Sequence, residues 1–117
     1  MMDSEQLEKL VVDALEEIKA IDITSIDVRD RTSICDVMVI ATGNTNRQVK
    51  SLADSVVMKA KAADQQPIGV EGQQAGEWVL VDLGDVVVHV MQPQIREFYS
   101  LEKLWEMAPT DASKQEP

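Results

Sequence analysis

The spacing of apolar residues changes period several times along the chain, and this alternation constrains the fold more than any other feature. Three segments carry apolar residues three and four positions apart, which is typical of one face of an amphipathic helix. Five short runs rich in β-branched residues are typical of strands. The predicted helices cover residues 4–20, the segment from the Gly43 turn to residue 63, and the segment from Ile95 to just before Pro109; the predicted strands cover residues 23–28, 36–42, 67–71, 78–83 and 86–91.

The order of these elements, α-β-β-α-β-β-β-α, indicates how the layers are built. A polar segment between the first two strands predicts a hairpin, and Gly84 with Asp85 predicts a tight turn between the last two. Helices interspersed with hairpins indicate an α/β (α+β) fold, in which a mixed β-sheet of about five strands is flanked by three helices. The order of the strands within the sheet is left open.

Capping signals mark the start of the first two helices. Asp3 or the serine after it can cap the first helix, and with Asp3 as the cap Gln6 lies at the position that a capping box requires. Asn44 or Thr45 can cap the second helix, and Gln48 lies three positions after Thr45.

Length and charge limit the classes of protein that fit. The 117 residues suffice for one domain, which we place at residues 1–109, and the polar, aperiodic residues 110–117 predict a disordered tail. Asp and Glu number 21 against 11 Lys and Arg, which gives a net charge of −10. Such a chain is repelled by phosphate backbones, so direct, sequence-specific nucleic-acid binding is disfavoured and a basic protein partner is favoured.

The cysteine and histidine content argues against a metal or a disulfide. Cys35 and His89 are the single residues of their kinds, so neither an internal disulfide nor a Cys/His zinc site can be assembled. The acidic first residues do not resemble a signal peptide, and no apolar run approaches the ~20 residues of a membrane span. We expect a cytoplasmic protein with no membrane segment, metal or other cofactor.

The residues that could take part in catalysis or ligand binding do not form a catalytic set. The turn at Gly43 lacks the Walker and G-x-G-x-x-G patterns, so a capped strand-to-helix turn is favoured over nucleotide binding. Asp36 beside Cys35 raises the pKa of the thiol and does not activate it. A lone histidine such as His89 is more often structural than catalytic. We therefore predict no catalytic residues.

Two elements carry side chains suited to binding a partner. In the strand of residues 78–83 one face is aliphatic, whereas the other carries Trp78, Leu80 and Asp82. A partly exposed indole is typical of an interface anchor, although packing of Trp78 under a helix deserves nearly equal weight. In the third helix Tyr99 and Arg96 lie outside the apolar stripe that includes Phe98. This position favours contact with a partner and ordinary surface salt bridges about equally.

A series of spaced motifs runs through most of the chain, from about Leu7 to Pro109. In order they are Cys35-Asp36, Val39-Ile40-Ala41-Thr42-Gly43-Asn44-Thr45, Glu71-Gly72, Glu77-Trp78-Val79-Leu80-Val81-Asp82, Gly84-Asp85-Val86-Val87-Val88-His89-Val90 and Phe98-Tyr99-Ser100-Leu101-Glu102. Together they resemble the Iojap/RsfS family of ribosomal silencing factors.

The resemblance implies a steric regulator and not an enzyme. Members of this family bind the large ribosomal subunit through its protein L-fourteen and block joining of the small subunit, which lowers translation when nutrients are scarce. The resemblance also implies a homodimer and a fold related to nucleotidyltransferases without their chemistry. Combined with the strand alternation, it predicts a docking surface of six residues, namely Trp78, Leu80, Asp82, His89, Arg96 and Tyr99.

Two other functions remain open at this point. The Gly43 turn and the implied fold are compatible with a nucleotidyltransferase-like nucleotide-binding protein. A generic homodimeric adaptor would need neither nucleotide nor ribosome.

Overall fold

The computed structural model describes residues 2–101 and residue 103. Within these residues it contains the predicted order of helices and strands, which confirms the α+β class. The elements are α1 (Ser4–Glu17), β1 (Ile21–Asp27), β2 (Val37–Thr42), α2 (Asn46–Ala62), β3 (Gly69–Glu71), β4 (Trp78–Asp82), β5 (Val86–Met91) and α3 (Pro93–Tyr99). The predicted tail, and the part of the predicted third helix that contains Leu104 and Trp105, lie outside the described residues.

The strands form one mixed sheet in the order β1-β2-β5-β4-β3. β1 pairs antiparallel with β2, which confirms the predicted hairpin, and β3 and β5 both pair antiparallel with β4. β5 pairs in parallel with β2, so it is inserted between two strands that precede it in the chain. Every residue of β2 and β5 is buried, as expected for inner strands covered on both faces.

The two faces of the sheet support two separate apolar clusters. The larger lies between the sheet and the helices α1 and α2, and it contains Leu7, Val11, Leu52 and Val56 from the helices together with Val79 and its neighbours from the strands. Full burial of an aliphatic side chain contributes roughly 1.5–3 kcal/mol, so this layer is the main source of stability. The smaller cluster lies on the opposite face, beneath α3.

The alternation in β4 confirms the two-faced strand that the sequence predicts. Val79 and Val81 are fully buried against the helical layer. Trp78 and Leu80 are half-buried and pack against the smaller cluster, where Ile95 of α3 also lies.

The N-terminal caps follow the sequence closely. Asp3 accepts a hydrogen bond from the backbone N–H of Gln6, whose side chain accepts one from the N–H of Asp3, so the predicted capping box is formed. Thr45 caps α2 by accepting from the N–H of Gln48 at 3.0 Å. The Gln48 side chain accepts instead from the N–H of Asn44, one residue before the cap, so α2 has a displaced version of the box.

The end of α1 and the start of β1 differ from the prediction by a few residues. α1 ends at Glu17 because Lys19 adopts a left-handed backbone with φ of 64°, which redirects the chain. Ile18 still packs against the larger cluster, so the helical spacing of apolar residues continues past the end of the helix. β1 begins at Ile21, and the irregular register after it accommodates a φ of 50° at Asp22.

The third helix is shorter than the apolar spacing predicts. Pro93 occupies its first turn, where the missing N–H costs nothing. Ser100 takes a left-handed conformation with φ of 50° and ends α3 after Tyr99. Phe98 and Leu101 therefore do not lie on one continuous helix face.

Gly43 provides a test of how tightly the β2–α2 turn is packed. A Cβ atom at this position would lie 3.0 Å from the backbone nitrogen of Val49 and 3.2 Å from Cδ1 of Leu52. Gly43→Ala should therefore destabilise the domain by about 1–3 kcal/mol, as overpacking of a core does. Gly69→Ala is the matched control because nothing lies within 4 Å of its Cβ position. Urea unfolding measures the free energy of unfolding of both variants. Equal values would contradict the prediction and show that the β2–α2 turn can move to accept a methyl group.

Candidate functional site

The pairing of β4 with β5 brings the predicted docking residues of the two strands onto one face. Leu80 lies opposite His89, and Trp78 lies opposite Met91. Trp78 and His89 are thus diagonal neighbours across the two strands, a separation that aromatic side chains can span. The indole Nε1–H of Trp78 donates a hydrogen bond to Nδ1 of His89 at 3.0 Å, and the ring centroids lie 5.9 Å apart.

His89 lies below the surface at the base of this face. It is only 7% exposed, and burial lowers the pKa of its imidazole to about 4. The ring is therefore neutral near pH 7, and Nδ1 has a free electron pair for the Trp78 indole. Its burial makes direct contact with a partner difficult.

α3 places two further aromatic rings beside Trp78. The ring of Tyr99 lies 4.8 Å from that of Trp78, and the ring of Phe98 meets Tyr99 edge-on at 5.0 Å. Phe98 is 79% exposed and Tyr99 is 50% exposed. We call Trp78, Phe98 and Tyr99 the aromatic patch.

The prediction that Phe98 belongs to the buried stripe of α3 is wrong. Ile95 packs against the smaller cluster, and Tyr99, four residues later, lies on nearly the same side of the helix and contacts Trp78. Phe98 is turned outward and was missed as a candidate docking residue. The sequence does contain a sign of its exposure. Adjacent residues of a helix point in different directions, so Phe98 and Tyr99 cannot both pack against the sheet.

Arg96 is directed away from the aromatic patch and fastens α3 to the sheet. Its guanidinium donates to the hydroxyls of Thr42 and Thr24, each at 2.9 Å, and to the backbone carbonyl of Asp22. These bonds fix the helix against the irregular part of β1. The structure therefore gives Arg96 an intramolecular role, and its predicted contact with a partner stays a prediction.

Asp82 also has an intramolecular role, at the far end of β4 from Trp78. Its Oδ1 accepts from the N–H of Gly84 at 2.9 Å, inside the tight turn that leads to β5. Gly84 has φ of 90°, which confirms the predicted turn with positive φ. Trp78, Leu80, His89 and Tyr99 are thus brought together, whereas Asp82 and Arg96 lie apart from them.

Two amides of the Gly43 turn, those of Gly43 and Asn44, are engaged within the chain. The N–H of Gly43 donates to the carbonyl of Met91 at 3.1 Å, and that of Asn44 donates to the Gln48 side chain at 2.8 Å. The Thr45 hydroxyl accepts from the amide of Gln48 in the first turn of α2. This arrangement supports the capped-turn interpretation over a phosphate cradle.

The other reactive groups are not activated. Burial, with the nearby charge of Asp36 as the next cause, raises the pKa of the Cys35 thiol, which keeps it protonated. Among residues 2–101 and 103, no three His, Cys, Asp or Glu side chains are grouped so that they could hold a metal ion. None of the helices in this part of the chain is long and apolar enough to cross a membrane.

Comparison with protein families places the chain among known proteins. The model of the family described as ribosomal silencing factor during starvation (RsfS) matches residues 1–117. The chain belongs to the RsfS family. This confirms the resemblance that the motifs indicate.

Relatives in the RsfS family occur in distant organisms. The ribosomal silencing factor RsfS of Chromobacterium violaceum is 51% identical over 104 residues, which cover 89% of this chain and 85% of that protein. The protein of the same name in Bacillus subtilis is 37% identical over 108 residues, or 92% of each chain. A mouse relative named mitochondrial assembly of ribosomal large subunit protein 1 is 32% identical over 105 residues, which cover 87% of this chain and 46% of that protein.

Solved structures support the same assignment. A crystal structure of a Chromobacterium violaceum protein superposes with a TM-score of 0.89 at 49% identity and covers 95% of this chain and 93% of its own. A Bacillus halodurans protein superposes with a TM-score of 0.80 at 35% identity, covering 86% and 94%. The mixed sheet and helices described above are thus shared with both proteins.

The burial of His89 predicts a specific dependence of stability on pH. Because the folded pKa of about 4 lies below the ordinary 6.5, the unfolded chain takes up a proton first as the pH falls. The free energy of unfolding should fall by about 2 kcal/mol between about pH 7 and about pH 5, and level off below about pH 4.

A non-titrating variant separates this effect from the carboxylates, which also respond to acid. Urea unfolding of wild type and His89→Asn across the same pH range gives two curves. The wild-type curve should fall more steeply, since His89 is the single histidine of the chain. Parallel curves would show that His89 is not held neutral by burial.

Proposed function

We propose that this chain binds the large ribosomal subunit and prevents its association with the small subunit, repressing translation under nutrient limitation. Membership in the RsfS family and the names of its relatives support a role at the ribosome. We further propose that the contact on the large subunit is its protein L-fourteen.

The observation that carries the proposal is the aromatic patch. Exposed Phe98 and Tyr99 continue onto half-buried Trp78, so three rings are available on one side of the molecule. Trp and Tyr are enriched among the residues that dominate binding free energy at protein interfaces. A surface that blocks another subunit by occupying space needs such anchors and no catalytic group.

Charge supports a basic protein as the partner. The chain carries a net charge of −10, and exposed Glu77 and Glu97 are the chain neighbours of Trp78 and Phe98. Carboxylates beside an apolar patch favour encounter with a positively charged protein surface and repel the phosphates of ribosomal RNA. The same charge would orient the chain toward a protein and away from RNA.

The two alternative functions have less support. The amides of Gly43 and Asn44 bond within the chain, and neither Cys35 nor His89 is activated, which favours a regulator over a nucleotide-binding enzyme. The family resemblance implies a homodimer and the sequence predicts a cytoplasmic location, and we propose both. A dimer that failed to bind ribosomes would support the generic adaptor instead.

Sedimentation with purified subunits tests the proposed function. The wild-type chain should travel with the large subunit in a sucrose gradient and reduce the amount of joined ribosomes when small subunits are added. It should release no heat with nucleotide and magnesium in calorimetry. A chain that stays at the top of the gradient while subunits join normally would contradict the proposal.

Substitution in the aromatic patch should weaken this association without unfolding the domain. Phe98→Ala removes a ring that is 79% exposed, so we expect a loss of affinity of about tenfold or more with little change in stability. Trp78→Ala should weaken binding at least as much. Met58→Ala is the matched control, because Met58 is 69% exposed but lies on α2, in the helical layer on the opposite face of the sheet. Equal affinities of Phe98→Ala and Met58→Ala would remove the patch from the docking surface.

A further inference from the structure

A hydrogen bond joins the half-buried side chain of Trp78 to an inner strand of the sheet. Trp78 lies on β4 and is half-buried, whereas His89 lies on the inner strand β5 and is 7% exposed. Their hydrogen bond of 3.0 Å runs from the indole Nε1–H to Nδ1 of the imidazole. The buried Nδ1 atom of His89 therefore holds the half-buried indole ring of Trp78.

We propose that His89 is a positioning residue of the docking surface, which accepts the indole N–H of Trp78 and thereby fixes the ring in the orientation that a partner meets. This inference rests on the proposed function, since the partner it concerns is the large ribosomal subunit. His89 is not expected to touch that partner, because its own ring is buried.

The geometry explains why the indole needs a fixed acceptor. A tryptophan on a strand can place its ring along the strand or across it, and the choice is governed by the contacts of the ring. Here the ring reaches diagonally from β4 to His89 on β5. This is possible because Trp78 is paired with Met91, two residues after His89. Without the acceptor, the indole N–H would have to turn toward water to be satisfied.

The position of Tyr99 depends on the same arrangement. Its ring lies 4.8 Å from Trp78 at an angle of 52°, and Phe98 lies against Tyr99. A turn of the indole would disturb its contact with Tyr99. Arg96 fixes α3, and His89 fixes the Trp78 ring against which Tyr99 lies, so the hydrogen bond of His89 sets the orientation of one of the three rings of the patch.

The acceptor itself is rigidly placed. β5 is paired on both sides, in parallel with β2 and antiparallel with β4, and Ile40 and Leu80 lie directly opposite His89 on the two neighbouring strands. The imidazole is held neutral by its apolar surroundings, which keeps Nδ1 available as an acceptor. These features suit a fixed support better than a contact residue.

Three variants separate the hydrogen bond from packing. His89→Leu removes the acceptor and keeps an apolar side chain, whereas His89→Asn keeps a short acceptor in place of Nδ1. Met91→Leu is the matched control, because Met91 lies opposite Trp78 and the change alters packing there without removing the acceptor. For each variant the affinity for purified large subunits, the melting temperature and the NMR signal of the Trp78 indole N–H are measured. That signal is identified by its loss in Trp78→Phe.

We expect His89→Leu to bind about tenfold more weakly, the effect of one net hydrogen bond, and its indole N–H to exchange faster with solvent. His89→Asn should restore affinity to within about threefold of wild type, with a protected indole N–H. In the Trp78→Phe background, which has no N–H to donate, His89→Leu should have no further effect on affinity.

Two results would overturn the inference. One is wild-type affinity in His89→Leu, and the other is an equal loss in His89→Leu and His89→Asn while the indole N–H stays protected. If His89→Leu fails to fold, His89→Val replaces it, because valine also lacks an acceptor and is smaller at this buried strand position; wild-type affinity in His89→Val would then overturn the inference. Failure of the wild-type chain to bind large subunits would instead contradict the proposed function itself, and this is measured before any variant.

Discussion

The insertion of β5 between β2 and β4 is the constraint on which the rest of the structure depends. It buries two inner strands completely and creates the only parallel pairing within the described part of the sheet. α1 and α2 cover one face, and the opposite face carries the smaller apolar cluster beneath α3. The same insertion places β4 beside β5, so that Trp78 meets His89. The face that carries Trp78, Leu80 and His89 is thus a direct consequence of the strand order.

The helices and strands could be predicted because their signals are local. Apolar spacing, capping residues and turn residues all act within a few positions of each other, and Asp3, Thr45 and Gly84 perform the roles that these signals indicate. The strand order could not be predicted in this way. The pairing of Val37 with Val86 joins residues far apart in the chain, and the free energy that selects it comes from burial of whole faces.

The candidate site was predictable only in part. Alternation along β4 correctly singled out the face of Trp78 and Leu80, since period-two spacing is a property of one strand. The bond to His89 depends on register between two strands, which alternation does not contain. Phe98 was placed on the wrong side of α3, because the spacing of apolar residues assumes a continuous helix and does not reveal the left-handed turn at Ser100.

The central claim is that the face formed by β4, β5 and α3, and not the helical layer of α1 and α2, meets the large ribosomal subunit. A structure of the chain bound to that subunit tests it most directly. The proposal predicts Trp78, Phe98 and Tyr99 in contact with protein L-fourteen, with the bond between Trp78 and His89 intact and the chain occupying space needed by the small subunit. A complex in which α1 and α2 form the contact and the aromatic patch faces solvent would contradict it.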